Sequence, residues 1–530
     1  MSDTLLRNHV NHLMHRRQLM RASLLAAGTL ALGTKASILA QDATPAATAA
    51  VPEGGRLRVA FEGAGSAENL NQMAMTGIDF MRQSHVQEPL ARFRGAEQEL
   101  VLAEAIAPNA DGSVWTIALR PNVTWHDGSP FTAADVLSTI AFNQDLANGG
   151  LYLPLVANID TANATIVDDL TLELPLLRPA NDLHLLLGAG EILIFQDGFT
   201  DTTTMNGTGP FKLASFTPAQ SSLLTRNETY WGYPERGPYL DEIELLSLMG
   251  ATARVNAVEA GQADLAPSIG YADGKRLEAS DTVKIVAAEA PDVQSLAFVM
   301  RVSEEPFSDI RLRHAVKFGT DRQALIETAF LGFGILGNDL YGIGQAAYND
   351  AIPQRTFDPE AAIALVQEAG AEGLTFEFVV PQGYAGAVEA ATVLAEQLKA
   401  IGLNPTLTTI PMEEFSISMV QGTLTSPLTF GVGGGFLMST TWQFNYTPGA
   451  GTNLSGWDDP EWLAGFAESQ STPDPARRTE LLDALQEQLW DEGGDLVWGY
   501  STALIAKTPR LQGVPATYYP ILTRSYFAAE

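Results

Sequence analysis

The sequence predicts an α/β protein divided into lobes, on three observations. Its 530 residues exceed what one hydrophobic core holds, since cores stop growing at roughly 250–300 residues, so two or three lobes are expected. Leu374 to Ile410 reads as strand, amphipathic helix, strand, and such a βαβ unit implies a parallel sheet with helices on its faces. Trp115 to Val136, WTIALRPNVTWHDGSPFTAADV, packs strand, turn, strand, turn and capped helix into one short stretch.

In that stretch Trp115 to Arg120 alternates large apolar and smaller side chains, Pro121-Asn122 breaks the run, and Val123-Thr124-Trp125 resumes it as the second arm of a hairpin. His126-Asp127-Gly128-Ser129-Pro130 makes a second turn, with Gly128 free to take positive φ. Thr132 and Asp135 have the capping-box spacing. Thr320 and Gln323 repeat that spacing ahead of a helix that Gly332 ends. Asp358-Pro359-Glu360 opens another helix with a cap, a proline at the first position and an acid in the first turn. Within the βαβ unit Val388, Ala391, Leu394, Leu398 and Ile401 recur at spacings of three and four, and Gly402 stops the helix. A helix follows from Asp474-Pro475 to about Trp490. Asp495 to Ala506 then reads as one apolar strand that returns the chain to the first lobe.

A hydrophobic content of 46% with 18% charged residues is ordinary for a soluble globular protein. The formal charge of −31 is not. Residues 1–40 carry five basic residues against one acid, which leaves −35 for the rest. Such a surface repels nucleic acid and anionic lipid, so neither is an expected partner. The absence of cysteine excludes disulfides, thiolate metal sites and a lipobox cysteine. Beyond the N-terminal tail only His85, His126, His184 and His314 remain, no two within a helical turn, so no metal and no cofactor is expected. His15-Arg16-Arg17-Gln18-Leu19-Met20-Arg21 with the apolar run Ala22 to Leu32 reads as a twin-arginine-type signal segment over residues 1–40, cleaved after Ala40 or Ala49. Its apolar part is too short to span a bilayer, which takes about twenty residues. Residues 41–55, rich in Ala, Thr and Pro, are expected to be a disordered linker. The protein is thus expected outside the cytoplasm, in the periplasm or at the outer face of the membrane.

The Trp115 stretch matches W-x-F-x-L-R-x-x-V-x-W-H-D-G-x-P-F-T-A-x-D-V except for Ile117. In the same order come Val86 to Leu90 (V-x-E-P-L), Gly207 to Lys212 (G-T-G-P-F-K), Arg226 to Gly232 (R-N-x-x-Y-W-G), Gly261 to Leu265 (G-x-x-D-L) and Pro306 to Arg311 (P-F-x-D-x-R). The chain thereby resembles the family 5 solute-binding proteins, the peptide- and nickel-type receptors of ABC importers. The resemblance implies a two-lobed periplasmic-binding-protein type II fold, with discontinuous lobes joined by a hinge and an extra subdomain in the first lobe. Its expected limits are 56–290 for the first lobe with the subdomain at about 85–205, 291–494 for the second, and 495–530 for the return. It also implies a monomer that captures a small solute between the lobes, performs no covalent chemistry and delivers the solute to permease subunits.

In the peptide receptors of that family, a segment F-G-W-x-x-D supplies the aspartate that pairs with a peptide's α-ammonium. Here Phe430 to Phe436 corresponds, with Val432 at the aromatic position and Gly435 at the acid. Without the carboxylate the charge-assisted bonds to a free amine are gone. The family therefore favours a peptide, and the missing acid favours an oligosaccharide or another non-peptide solute. Gly434 and Gly435 either let backbone N–H groups approach the solute or form an inert loop. Phe436, Trp442 and Tyr446 are stacking faces or core. Arg301 is a candidate for a carboxylate or phosphate, against an ion pair with Glu304 or Glu305. Thr76 and Phe80 are candidates because they follow the loop that faces the cleft in the family. Two other readings compete, an extracytoplasmic hydrolase and a chemosensory receptor on the same scaffold. No nucleophile with a matching base is recognisable near His126-Asp127.

Overall fold

The computed structural model describes residues 51–71, 76–94, 97–148, 152–189, 192–434, 437–449 and 452–529. The expected signal segment 1–40 and residues 41–50 of the expected linker lie outside the described residues, as do Gly435 and Phe436.

Two sheets carry the two lobes. In the first, seven strands run in the order Lys284–Ala287, Leu504–Lys507, Leu265–Ala266, Arg56–Glu62, Glu242–Leu248, Ser221–Arg226 and Phe211–Thr217. Arg56–Glu62 is parallel to Glu242–Leu248 in full register and to Leu265 at Val59. Its alternation divides two cores, because successive strand residues point to opposite faces. Leu57, Val59 and Phe61 pack with Ile78, Met81 and Val86 of helix Gly77–Val86. Ala60 packs on the other side with Val255 and Val258 of helix Ala251–Glu259.

The second sheet has six strands, Ile335–Leu336, Asp495–Ser501, Gln294–Met300, Leu428–Gly434, Thr375–Gln382 and Asn404–Pro411. Phe298 sits among Phe378, Trp498 and Phe430, with ring centroids 5.0, 6.0 and 6.4 Å away. The expected βαβ unit is present: Thr375–Gln382 and Asn404–Pro411 are parallel, and helix Ala387–Ala400 buries Ala391, Leu394 and Leu398.

The subdomain is a four-stranded sheet, Ala103–Pro108, Val114–Leu119, Thr171–Pro175 and Thr165–Asp168, with its own core around Trp115, Trp125, Phe131 and Ile140. Here the expected hairpin is corrected. Val114–Leu119 pairs with Ala103–Pro108 and Thr171–Pro175, whereas Val123 to Trp125 folds back on Ser129 to Phe131, with a bridge between Thr124 and Pro130. Asn122 takes a left-handed turn at φ 62°, and the Trp125 indole N–H is directed to Asp135 at 3.3 Å. Asp135 also accepts from the Thr132 N–H at 2.8 Å, the capping contact expected there. At the second expected capping box the cap is one residue later. Asp321 accepts from Ala324 N–H at 3.1 Å, because the buried Thr320 hydroxyl donates back to Val316 O at 2.7 Å.

Two connections join the sheets. Residues 288–293 lead from Lys284–Ala287 into Gln294–Met300, and Thr502-Ala503 lead from Asp495–Ser501 into Leu504–Lys507. The stretch read as one strand from Asp495 to Ala506 is therefore two strands, one in each sheet. The connections lie side by side, with Ala288 N–H donating to Ala503 O at 2.9 Å. Among the described residues no helix is long and apolar enough to cross a membrane.

Candidate functional site

The family-like motifs meet in the scaffold. Glu88, 1% exposed, accepts hydrogen bonds from Tyr230 Oη at 2.7 Å, Trp231 Nε1 at 2.9 Å and Thr208 Oγ1 at 3.0 Å. V-Q-E-P-L, R-N-E-T-Y-W-G and G-T-G-P-F-K are thus one buried node. Burial pushes the Glu88 carboxyl above its ordinary range, against the pull of these donors. His126 belongs to the same framework. Its ring Nε2 is 2.9 Å from Gly209 O, and Asp127 accepts from the Ser129 N–H at 2.8 Å and the Ser129 hydroxyl at 2.6 Å, so the motif's His-Asp pair braces a turn.

The side chains that face one another across the two lobes gather at the paired connections. Gly434 is the cross-strand partner of Gln294, whose Oε1 accepts from Tyr384 Oη at 3.3 Å. The Ser501 hydroxyl lies 3.4 Å from Gln294 O and 3.1 Å from Tyr518 Oη. Tyr271, from the first lobe, donates to Thr502 O at 3.2 Å. Tyr519, the residue after Tyr518, is 44% exposed and lies edge-on to Phe80 at 5.3 Å and tilted to Phe61 at 6.1 Å. Thr76 caps the helix that presents Phe80, accepting from Asp79 N–H at 3.3 Å. A side chain at Gly77 would meet the Tyr519 ring at 3.1 Å.

Of the residues picked from the sequence, Phe80 packs on Tyr519, Thr76 caps the helix that carries Phe80, and Gly434 is linked to Tyr518 only through Gln294 and Ser501. Burial raises the Tyr384 hydroxyl to about 12 and raises Tyr518 and Tyr519 as well. All three stay protonated at neutral pH, so each keeps a hydroxyl able to donate a hydrogen bond.

The other candidates lie elsewhere. Arg301 is at the far end of the Gln294–Met300 strand, about 20 Å from Gln294 at the rise of an extended chain. Its guanidinium donates to Leu424 O and its N–H to Pro427 O. Trp442 and Tyr446, 1% and 2% exposed, pack against Trp462 at 5.3 and 5.4 Å, and Tyr446 Oη donates to Asp495 at 2.9 Å. Those rings are filled on both faces by the second core. The glycine run has a packing reason in part: a Cβ on Gly431 would sit 2.6 Å from Val299 and one on Gly433 2.8 Å from Tyr341. Between them Val432 points to the other face and is 43% exposed. Tyr384, Gln294, Ser501, Tyr518 and Tyr519 were not singled out from the sequence. The usable signal was the Tyr-Tyr doublet before Pro520. Among the described residues no group of three His, Cys, Asp or Glu side chains could hold a metal ion.

The family model for bacterial extracellular solute-binding proteins, family 5 Middle, matches residues 97–461. The chain belongs to that family. This solute-binding protein is 24% identical over 436 residues to the glutathione-binding protein GsiB of Pectobacterium atrosepticum, with 78% of this chain and 82% of the relative covered. It is 24% identical over 526 residues to the dipeptide-binding protein of Escherichia coli, covering 91% and 95%. Among solved structures it is similar to NikA from Brucella suis in complex with Fe(III)-EDTA, at a TM-score of 0.78 and 20% identity, covering 89% of this chain and 100% of that one. The family membership makes the protein an extracytoplasmic solute-binding protein of an ABC importer. The two-lobed α/β fold expected from the sequence is the fold of these proteins.

Proposed function

We propose that this solute-binding protein takes up a peptide-type solute at the junction around Tyr384, Gln294, Ser501 and the Tyr518-Tyr519 pair. It closes its lobes over the solute about the paired connections and hands it on unaltered to permease subunits. The observation that carries this reading is the Tyr518-Tyr519 doublet, whose first ring bonds to the second sheet and whose second packs on the first. Closure of two lobes over a solute places such a junction at the heart of the site and couples binding to an open–closed equilibrium. The pairing of Asp495–Ser501 with Gln294–Met300 supports a first lobe of about 56–290 that resumes after Thr502, with the second lobe between and the subdomain at about 85–205. The protein acts as a monomer, is exported by its twin-arginine-type segment, and turns nothing over.

The names of the relatives support a peptide-type solute. A specific observation favours a second reading, an oligosaccharide: the site offers a half-exposed aromatic face and neutral hydroxyl and amide groups, which suit sugar rings. A thermal-shift screen of the mature chain against glutathione, dipeptides, N-acetylated dipeptides, oligosaccharides and nickel chelates separates the two. A solute at a hundredfold excess over its Kd stabilises by about 2.7 kcal/mol. Stabilisation by a peptide, lost in Tyr519→Ala and Tyr384→Ala, is the expected result. Stabilisation by oligosaccharides alone moves the assignment to the second reading, and a response that survives both substitutions overturns the placement of the site.

A further inference from the structure

The lobes meet a third time through side chains. Asn181 of the subdomain donates its backbone N–H to Gln470 O at 2.9 Å and its side-chain Nδ2 to Ser471 O at 2.7 Å. Gln470 and Ser471 end helix Pro460–Ser471 of the second lobe. The last carbonyls of a helix have no partner within it, so Asn181 caps that helix from another lobe. The next residue, Asp182, is 2% exposed and faces the Arg478 guanidinium at 3.9 Å, on helix Pro475–Glu492.

The loop that makes these contacts is rigidly held. The Trp115 indole N–H donates to Ala180 O at 2.9 Å, Ala180 N–H donates to Gly112 O at 3.1 Å, and the His184 ring stacks on Trp115 at 5.5 Å. Gly112 has φ +70°, and a Cβ there would sit 2.9 Å from Ala180 O. The signature strand thus positions a loop whose tip reaches the other lobe. We infer that Asn181 and Asp182 form a latch through which the subdomain holds the lobes closed, Asn181 by capping helix Pro460–Ser471 and Asp182 by pairing with Arg478.

The energetics suit a reversible contact. A buried ion pair roughly breaks even between desolvation and attraction, and the capped carbonyls exchange water for Asn181. The latch biases closure without fixing it, and a solute bound at the tyrosine junction then decides the population. Asn181, Asp182 and Arg478 have no contact with that junction, so they act on the equilibrium and not on recognition.

The latch rests on the reading that the lobes close, and the test separates the two. The mature chain has no cysteine, so Glu173→Cys and Glu461→Cys, both on exposed positions of the two lobes, take a donor and an acceptor dye without side reactions. Single-molecule energy transfer then reads the fraction of closed molecules without added solute. Asn181→Gly and Arg478→Ala each lower that fraction, by about threefold or more for a bias of this kind. The double reversal Asp182→Arg with Arg478→Asp restores it relative to either reversal alone, which a general loss of subdomain stability would not do. Arg478 is on a helix surface, so Arg478→Ala carries the test if the Asn181 variant does not fold. Movement in the parent with unchanged distributions in the variants overturns the latch and leaves closure standing. One fixed distance in every protein overturns both.

Discussion

Glu88 shows how a residue is legible as a pattern and opaque as a contact. V-Q-E-P-L was recognisable, but the donors to its acid lie 120, 142 and 143 positions away, and no local rule links them. Truncating the carboxylate leaves three buried donors without an acceptor, each costing roughly 1–3 kcal/mol. Glu88→Ala is therefore expected to lower stability by roughly 3 kcal/mol in urea unfolding. Glu88→Gln keeps an acceptor oxygen and costs less, so equal losses in the two variants would refute the node. The same opacity explains the site. Tyr384, Tyr518 and Tyr519 line the junction, while Tyr341 and Tyr446 are buried donors to Asp495 at 2.7 and 2.9 Å. Sequence offers the same side chain in each case, and only the distant partner distinguishes a ring at the junction from a core ring.

Elements were legible where their determinants are local. The Asp135 cap and the stripe of helix Ala387–Ala400 depend on neighbours a turn away, and both formed as expected. The strand from Asp495 to Ala506 split because its apolar run satisfies two sheets equally well, and a run has no mark for a change of sheet. The docking of the C-terminal segment on helix Gly77–Val86 was not legible at all. His85 there donates from Nδ1 to Met81 O at 2.7 Å and accepts at Nε2 from Leu522 N–H at 2.9 Å, partners that assign the neutral ring. Protonation would set N–H against N–H, and burial depresses this histidine from 6.5 to about 4. Between those values the unfolded chain binds a proton that the folded one does not. The contribution is therefore complete above pH 6.5 and lost as pH falls towards 4, roughly 3 kcal/mol in all. His126, likewise held to about 4 by burial, adds in the same direction. Urea unfolding between pH 6.5 and 5 is expected to show stability falling with acid. In His85→Leu that slope should drop by up to about 1.4 kcal/mol per pH unit, and an unchanged slope would sink the assignment.

At the scale of the whole molecule, charge sets an expectation that no single contact does. The sequence holds 62 acidic and 31 basic residues, so the folded chain repels itself, and salt relieves that repulsion. Salt also weakens ion pairs, and the two effects oppose. Many of the pairs are exposed, such as Arg276 with Glu259 and Arg56 with Glu242, and exposed pairs are worth about 0–1 kcal/mol each. One network is sheltered: Asp339 takes Arg322 at 2.6 Å and Arg355 at 2.7 Å, with side chains 0–3% exposed, so screening reaches it weakly. Repulsion should therefore win. Raising NaCl from about 10 to about 300 mM shortens the Debye length from about 30 Å to well under 10 Å, and the unfolding temperature of the protein is expected to rise across that range. If the lobes close as proposed, two acid-rich surfaces come together, and the closed fraction in the dye-labelled protein should rise in parallel. A fall in both would mean that ion pairs, the largely buried Asp182–Arg478 contact as well as the exposed ones, outweigh the net charge.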